Sequence, residues 1–476
     1  MNNLKEIELK KDKNTHLYIQ LYEKIKILII EKKLKPDTKL PSIRKFAKNL
    51  DVNNTTVVKA YNLLEEENYV YKKVGSGTFV YDIHSNDKYI NKKFIDYNEN
   101  MINLGSGTPS EKLFPVKKFK KSINTVLDEF KGKAFGYSDS KGDPNLIFII
   151  YNKFIKEKMN INKERIQIIS GAQQGIDIVA KALLNPRDYV LLEAPTYTGA
   201  IDIFKSRRCK FTSIKLTHKG IDFNVLEQKI KRYRPKMFFT MPNFHNPTGY
   251  CYTLEEKKKI LELSKKYNFY IIEDDFSSEL NFSDKKIKTL KELDKNERVI
   301  YIKSFSKVFL PGLRLGYLIA PEKFEDKITQ AKHSTDISTS TLIQKSFERY
   351  LKNNFYQEQW NYIYNMFKKR YLTTIDVFDD YLPKEVKYHK PLGGLNFWLE
   401  FDKEVSIDSL YKYLLDKNII VAPGDAFYLN ENDSKCIRIS IAAYDKKVLE
   451  DNLIKLCLEI DNFLNNKFST KKMPIL

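Results

Sequence analysis

The chain has 476 residues, 42% hydrophobic and 30% charged, which is enough for two or three domains with full cores. No apolar run reaches membrane-spanning length, and the N-terminal MNNLKEIELKKDKN lacks the apolar stretch of a secretory signal, so a cytoplasmic protein is expected. Its four cysteines (Cys209, Cys251, Cys436 and Cys457) form no CxxC pair and no metal-ligand spacing, which predicts reduced structural thiols and no metal site.

The net charge of +21 invites a nucleic-acid partner. Residues 1–83 hold 16 Lys and Arg against 11 Asp and Glu, five excess positive charges, and the remainder of the chain carries its excess at similar density. Charge spread in this way permits nucleic-acid binding without identifying the surface that does it.

Leu21, Ile25, Leu28 and Ile29 fall at i, i+4, i+7 and i+8, one face of a helix. After the turn Lys35-Pro36-Asp37, Ser42 is placed to cap a second helix with an apolar stripe of Ile43, Phe46, Ala47 and Leu50. Asn53 or Asn54 caps a third, with Val57, Ala60, Tyr61 and Leu64 facing inward. Two β-like runs follow, Tyr69–Lys73 and Thr78–Tyr81, joined by Gly75-Ser76-Gly77. Three helices and a two-stranded wing make a winged helix-turn-helix, whose third helix enters the DNA major groove.

The segment LPSIRKFAKNLDVNNTTVVKAYNLLEEENYVYKKVGSGTFV resembles the DNA-binding domain of the GntR regulators. The resemblance implies that Arg44, the start of the recognition helix (Asn53, Asn54, Thr55 and Thr56) and Gly75 at the wing tip touch DNA. Where the family usually opens that helix with an arginine, this chain has Asn54. A bidentate arginine–guanine contact is therefore absent at that point, and an asparagine favours adenine. The expected domain spans residues 14–83, and the polar, aperiodic residues 84–101 read as a linker, ordered in part where its Phe94, Ile95 and Tyr97 dock on a neighbour.

From residue 102 to about 470, short apolar runs alternate with amphipathic stretches, the rhythm of an α/β domain with a mainly parallel sheet. Ile166–Ile169, Tyr189–Leu192, Met237–Met241, Phe269–Ile272 and Val299–Ile302 are the expected strands. Ligands bind off the carboxyl ends of such strands, so the residues following each run carry the information. They are Ser170-Gly171-Ala172-Gln173 before a helix expected over Ile176–Leu184, then Glu193 to Tyr197, then Asn243 to Gly249, then Glu273-Asp274-Asp275, and last Ser304 to Arg314 around Lys307. A lysine beside hydroxyls and a guanidinium suits an aldehyde cofactor that bears a phosphate. A carboxylate suits a pyridinium nitrogen, and an aromatic ring suits stacking on a heterocycle.

In this order the motifs resemble the fold-type I pyridoxal-phosphate aminotransferases, across residues 102–462. The resemblance implies pyridoxal 5'-phosphate in Schiff-base linkage to Lys307, with Asp274 on the pyridine nitrogen, Asn246 on the phenolic oxygen and Tyr197 stacked on the ring. It implies Ala172, Gln173, Ser304, Ser306 and Arg314 around the phosphate, Tyr137 reaching the phosphate of a neighbouring subunit, and Arg438 gripping a substrate carboxylate. Phe276 stands where the family often has a tyrosine, and Gly199 stands where a γ-aminobutyrate-responsive relative has an arginine.

A winged helix followed by such a domain, with a smaller C-terminal α+β subdomain, resembles the MocR/GabR subgroup of GntR regulators. That resemblance implies a head-to-tail homodimer that binds operator DNA and responds to an amine or amino-acid effector, or to the cofactor itself. The alternative is a working aminotransferase with an appended DNA-binding domain.

Overall fold

The computed structural model describes residues 16–30, 33–35, 37–67, 69–73, 77–81, 101–305, 310–429 and 434–469, together with Leu4, Ile7 and Leu9. The chain divides into two compact units, residues 1–98 and 99–476.

In the first unit, helices α1 (Leu17–Ile30), α2 (Ile43–Asn49) and α3 (Asn54–Glu66) bury one stripe each. Leu21, Ile25, Ile29, Phe46, Ala47, Val57, Ala60, Tyr61 and Leu64 form the shared core, and Leu28, Ile43 and Leu50 pack half-buried against it. Strands β1 (Val70–Lys73) and β2 (Gly77–Val80) pair antiparallel from Val70↔Val80 to Lys73↔Gly77 and add Val70 and Val80 to the core. Asn53 caps α3, its side chain accepting from Thr55 N–H at 3.1 Å. Ser42 occupies the cap position of α2, but its hydroxyl makes no capping bond. Ser42 is exposed, so water can satisfy the first-turn N–H groups of that helix.

The second unit begins with β3 (Ile102–Asn103). Eight further strands form a sheet: β4 (Ile166–Ile169), β5 (Tyr189–Ala194), β6 (Lys210–Thr217), β7 (Gly220–Ile221), β8 (Met237–Thr240), β9 (Tyr270–Asp275), β10 (Val299–Ser304) and β11 (Gly316–Ile319). Their order is β4-β11-β10-β9-β8-β5-β6-β7. The run from β10 to β6 is parallel, while β11 is antiparallel to both its neighbours. Strand alternation divides the core: Ile300 and Ile302 join one apolar cluster with Ile272 and Leu318, whereas Tyr301 packs with Tyr317 and Ile319 on the other side.

Strands β5, β9 and β10 run two or three residues beyond their expected ends, so Glu193, Asp274 and Ser304 lie on strands rather than after them. Charged residues do not stop β9 because its neighbours satisfy them. Glu273 accepts from Leu290 and Lys291 N–H, both at 2.8 Å, and Asp275 accepts from the Tyr301 hydroxyl at 2.6 Å. The expected helix at Ile176–Leu184 spans Ala172–Leu183, because Gly171 at φ +90° turns the chain directly from strand to helix.

The C-terminal subdomain adds β12 (Lys387–Tyr388), β13 (Asn396–Glu400), β14 (Ile419–Ile420), β15 (Ala422–Pro423) and β16 (Cys436–Ser440). Four of them form an antiparallel sheet in the order β12-β13-β16-β15, while β14 pairs in parallel with β3. The start of the second unit is thereby stitched to its end, and Ser440 N–H also donates to the Leu104 carbonyl at 2.7 Å. No helix among the described residues is long and apolar enough to cross a membrane.

Trp360 and Trp398, the two tryptophans of the chain, both lie in the second unit. Leu64→Ala should cost the winged helix about 2–5 kcal/mol by opening its core. In denaturant, the tryptophan fluorescence transition should hold its midpoint while far-ultraviolet circular dichroism gains an earlier phase. A fluorescence midpoint that moves with the mutation would show that the two units unfold together.

Candidate functional site

Strands β4, β5, β8, β9 and β10 point the same way, so their carboxyl ends share one edge of the sheet. A cavity of about 250 Å3 opens at that edge. It is lined by Ala172, Gln173, Tyr197, Asn246, Asp274, Ser304, Arg314 and Arg438, with Met241 and Phe276 on its apolar side. Residues spread from position 172 to position 438 thus meet in one place. The expected Ser306 and Lys307, and Gly75 of the wing, lie outside the described residues, as does nearly all of the linker 84–101.

One end of the cavity is built for an anion. Gly171 opens the twelve-residue helix Ala172–Leu183, and the first N–H groups of a helix have no partner within it. Arg314 crosses this turn in a left-handed conformation, donating from Nη2 to the Ser170 carbonyl at 3.0 Å. A Cβ on Gly171 would come within 2.6 Å of that Nη2, so glycine is what allows the guanidinium to lie against the helix start. Asp336, which no sequence pattern singled out, braces the turn from below. It accepts from Gln174 Nε2 at 2.7 Å and lies 3.4 Å from the Ser170 hydroxyl.

The middle of the cavity is suited to a flat ring. The Tyr197 hydroxyl donates to Gln173 Oε1 at 2.8 Å, and Gln173 Nε2 donates to the Gly199 carbonyl at 3.3 Å. Burial, reinforced by the nearby Asp274 carboxylate, raises the Tyr197 phenol above its ordinary pKa and keeps it protonated. Asp274 is buried near the end of β9, level with Ile302 of β10. Phe276 is buried beside it and contributes no hydroxyl.

At the far end, Arg438 enters from β16 of the small sheet. Nη1 donates to Asn246 Oδ1 at 2.8 Å, Nη2 to the Gly105 carbonyl, and Nε is buried without a hydrogen-bond partner. Burial alone pulls its guanidinium down to about 10, and no carboxylate among the described residues pairs with it. The Asn246 loop rests on a buried group that sequence reasoning missed. His245 Nε2 lies 2.9 Å from Glu193 Oε2, and Glu193 also accepts from the hydroxyls of Thr240 at 2.5 Å and Tyr252 at 2.8 Å. Glu193 looked like part of a connecting turn, although it lies on β5 and points into this network. The donor set matches a phosphorylated pyridine aldehyde: helix N–H groups and a guanidinium for the phosphate, a carboxylate for the ring nitrogen, and an asparagine at the opposite edge.

Tyr137 is 86% exposed and lines no part of this cavity. Its loop is fixed on both sides, by Thr341 Oγ1 donating to the Gly136 carbonyl at 2.6 Å and by Gln344 Nε2 donating to Ser138 Oγ at 3.0 Å. In the first unit Arg44, Asn53, Asn54 and Thr55 are exposed and Thr56 is half-buried at the start of α3.

The sequence pattern described as aminotransferase class I and II matches residues 99–455, and that of the bacterial regulatory proteins of the gntR family matches residues 17–80. The chain is 31% identical to a 2-aminoadipate transaminase of Thermus thermophilus, over 75% of this chain and 89% of that protein. It is 28% identical to the HTH-type transcriptional regulator NorG of Staphylococcus aureus, over 88% of this chain and 98% of that one. Among solved structures, the α-aminoadipate aminotransferase LysN of Thermus thermophilus, complexed with N-(5'-phosphopyridoxyl)-L-leucine, superposes with a TM-score of 0.73 at 30% identity, covering 80% of this chain and 97% of that one. The kynurenine aminotransferase of Pyrococcus horikoshii gives the same TM-score at 27% identity, over 85% and 99% of the two chains.

A Cβ at position 199 would stand 2.4 Å from Gln173 Oε1 and 2.6 Å from the Tyr197 ring. Gly199→Ala should therefore turn Tyr197 off its hydrogen bond. Overpacking of this kind costs about 1–3 kcal/mol, so affinity for pyridoxal phosphate should fall roughly 5- to 150-fold, read by equilibrium titration of cofactor fluorescence.

Proposed function

Since the chain belongs to the class I and II aminotransferase family and carries a gntR-family DNA-binding domain ahead of it, we propose that it is a transcription regulator with an amine sensor. The fused arrangement is that of the MocR/GabR subgroup of GntR regulators. The observation that carries the sensing role is Arg438, a guanidinium in the cavity without a carboxylate partner among the described residues.

Pyridoxal phosphate, when bound, supplies an aldehyde that condenses with primary amines and a ring that withdraws electrons from them. Lys307 would provide the resident amine, and an effector amine would compete with it. Ala172, Gln173, Ser304, Ser306 and Arg314 would bind the phosphate, and Asp274 would hold the proton on the ring nitrogen. With Oδ1 engaged by Arg438, Asn246 would offer its Nδ2–H to the phenolic oxygen. Arg438 would take the effector carboxylate, for which a planar guanidinium is the fitting donor. The small subdomain that carries Arg438 would then respond to occupancy, and a change in DNA affinity follows only if the effector binds two domain arrangements with different free energies. Tyr137, held outward on a fixed loop, would complete the phosphate site of a partner in a head-to-tail dimer.

Three preparations test the reading: apo protein, protein with cofactor, and protein with cofactor plus candidate amines, each titrated onto the DNA upstream of its own reading frame. DNA affinity should change only when an amine bearing a carboxylate joins the cofactor. A full change with cofactor alone would make the cofactor itself the signal. Arg438→Gln should weaken the response to such amines about 10- to 150-fold, the worth of one charge-assisted hydrogen bond or ion contact, and leave cofactor absorbance in place. Lys307→Ala should abolish the protein-linked cofactor absorbance band.

A second reading, a working aminotransferase, is favoured by the transaminase relatives and by the joint presence of Asn246, Asp274 and Arg438 in the cavity. Phe276 argues against efficient turnover, because it withholds a hydroxyl donor from the phenolic oxygen. Incubation with an amino-acid donor should give at most one conversion per site. Continued product formation after a 2-oxo acid is added would identify an enzyme.

A further inference from the structure

The cysteines offer no metal spacing, but two histidines far apart in sequence come together at the surface of the second unit. His218 occupies the turn between β6 and β7, and that turn is fixed: Thr217 Oγ1 accepts from Lys219 N–H at 3.2 Å and donates to the Gly220 carbonyl at 3.1 Å. His389 follows β12. Its neighbours Tyr388 and Lys390 both bind Asp379, at 2.6 Å each, which directs His389 to the opposite side of the chain. The two imidazole rings stack with centroids 3.7 Å apart and planes 14° from parallel. Glu400, the last residue of β13 and the register partner of Lys387, completes the group. One donor atom from each of His218, His389 and Glu400 lies within 4.8 Å of the others.

We infer that His218, His389 and Glu400 form a binding site for a divalent transition-metal ion, with zinc the best match. Two imidazole nitrogens and one carboxylate are a donor set that zinc takes in proteins, with water in the fourth position. Bonds of about 2.0–2.2 Å to a tetrahedral ion place the donors a little over 3 Å apart. Side-chain rotation is enough to reach that spacing, because both histidines are exposed and Glu400 is half-buried.

The placement gives the ion a consequence. His218 belongs to the β6–β7 hairpin at the edge of the large sheet, whereas His389 and Glu400 belong to the small sheet that carries Arg438. A metal bound to all three cross-links the two sheets across the second unit. It would restrain the subdomain whose position the amine effector is proposed to read, although the binding itself does not depend on that proposal.

The test uses full-length protein free of any affinity tag, stripped with a chelator and titrated with Zn2+ by calorimetry. Wild type should bind one equivalent. His218→Ala, His389→Ala and Glu400→Gln should each weaken it about tenfold or more, and His16→Ala, a change in the other unit, should not. Zn2+ should raise the melting temperature of wild type and of His16→Ala while leaving the His218→Ala protein unchanged. Co2+ should give tetrahedral d–d absorption that His389→Ala loses. Absence of a stoichiometric site in wild type, or affinity unaltered in His218→Ala and His389→Ala, overturns the assignment.

Discussion

Three consecutive carboxylates on the central strand β9 set the constraint on which the rest of the second unit depends. Glu273, Asp274 and Asp275 are each buried, and burial of adjacent charges in one sheet is tolerated only where alternation sends them to different partners. Asp275 goes to one face. There burial would raise it, but Lys303, Tyr301 and Ser278 together hold it below its ordinary value. Glu273 lies on the same face as Asp275 and meets the two N–H groups at Leu290 and Lys291; burial, with the Asp275 charge adding to it, pushes it up to about 8. Asp274 alone turns to the other face and lines the cavity. The cavity-facing carboxylate is therefore positioned by two neighbours that are fully occupied with structure.

The same division appears on β10, level with β9. Lys303 faces Asp275 and Glu279, and although burial would lower its pKa, those two carboxylates outweigh it and hold it charged. Ser304, the next residue, faces the cavity. A lysine at a strand end is thus not by itself a cofactor residue. Lys303 is committed to a structural ion pair four positions before the lysine that the family motif selects. What distinguishes the motif is the company of Ser304, Arg314 and the Gly171 turn, which lie on the cavity side.

Much of this was legible in the sequence because the informative residues sit next to apolar runs. Ser170-Gly171 after β4, Tyr197 after β5, Asn246 after β8 and Asp274 within β9 could each be placed at one sheet edge from local pattern alone. The stripes of the winged helix were equally plain, since i, i+4 and i+7 spacing is a local property. Less visible were pairings decided by tertiary contact. Strand β11 is four residues long and gains its identity only from antiparallel bonds to β4 and β10. Glu193 and His245 are 52 residues apart and become a pair only when β5 and β8 align. His218 and His389 lie on two different sheets, so no spacing rule could bring them together.

Arg438 links these observations to the question of sensor against enzyme. Its guanidinium is already engaged by Asn246 and by the Gly105 carbonyl, and Gly105 belongs to the segment just after β3, which pairs with β14. Arg438 therefore ties together three pieces of chain: the Asn246 loop of the large sheet, the small sheet through β16, and the segment after the strand that opens the second unit. In an enzyme such coupling serves to close the site over substrate. In this chain the same coupling reaches β3, the first strand of the second unit.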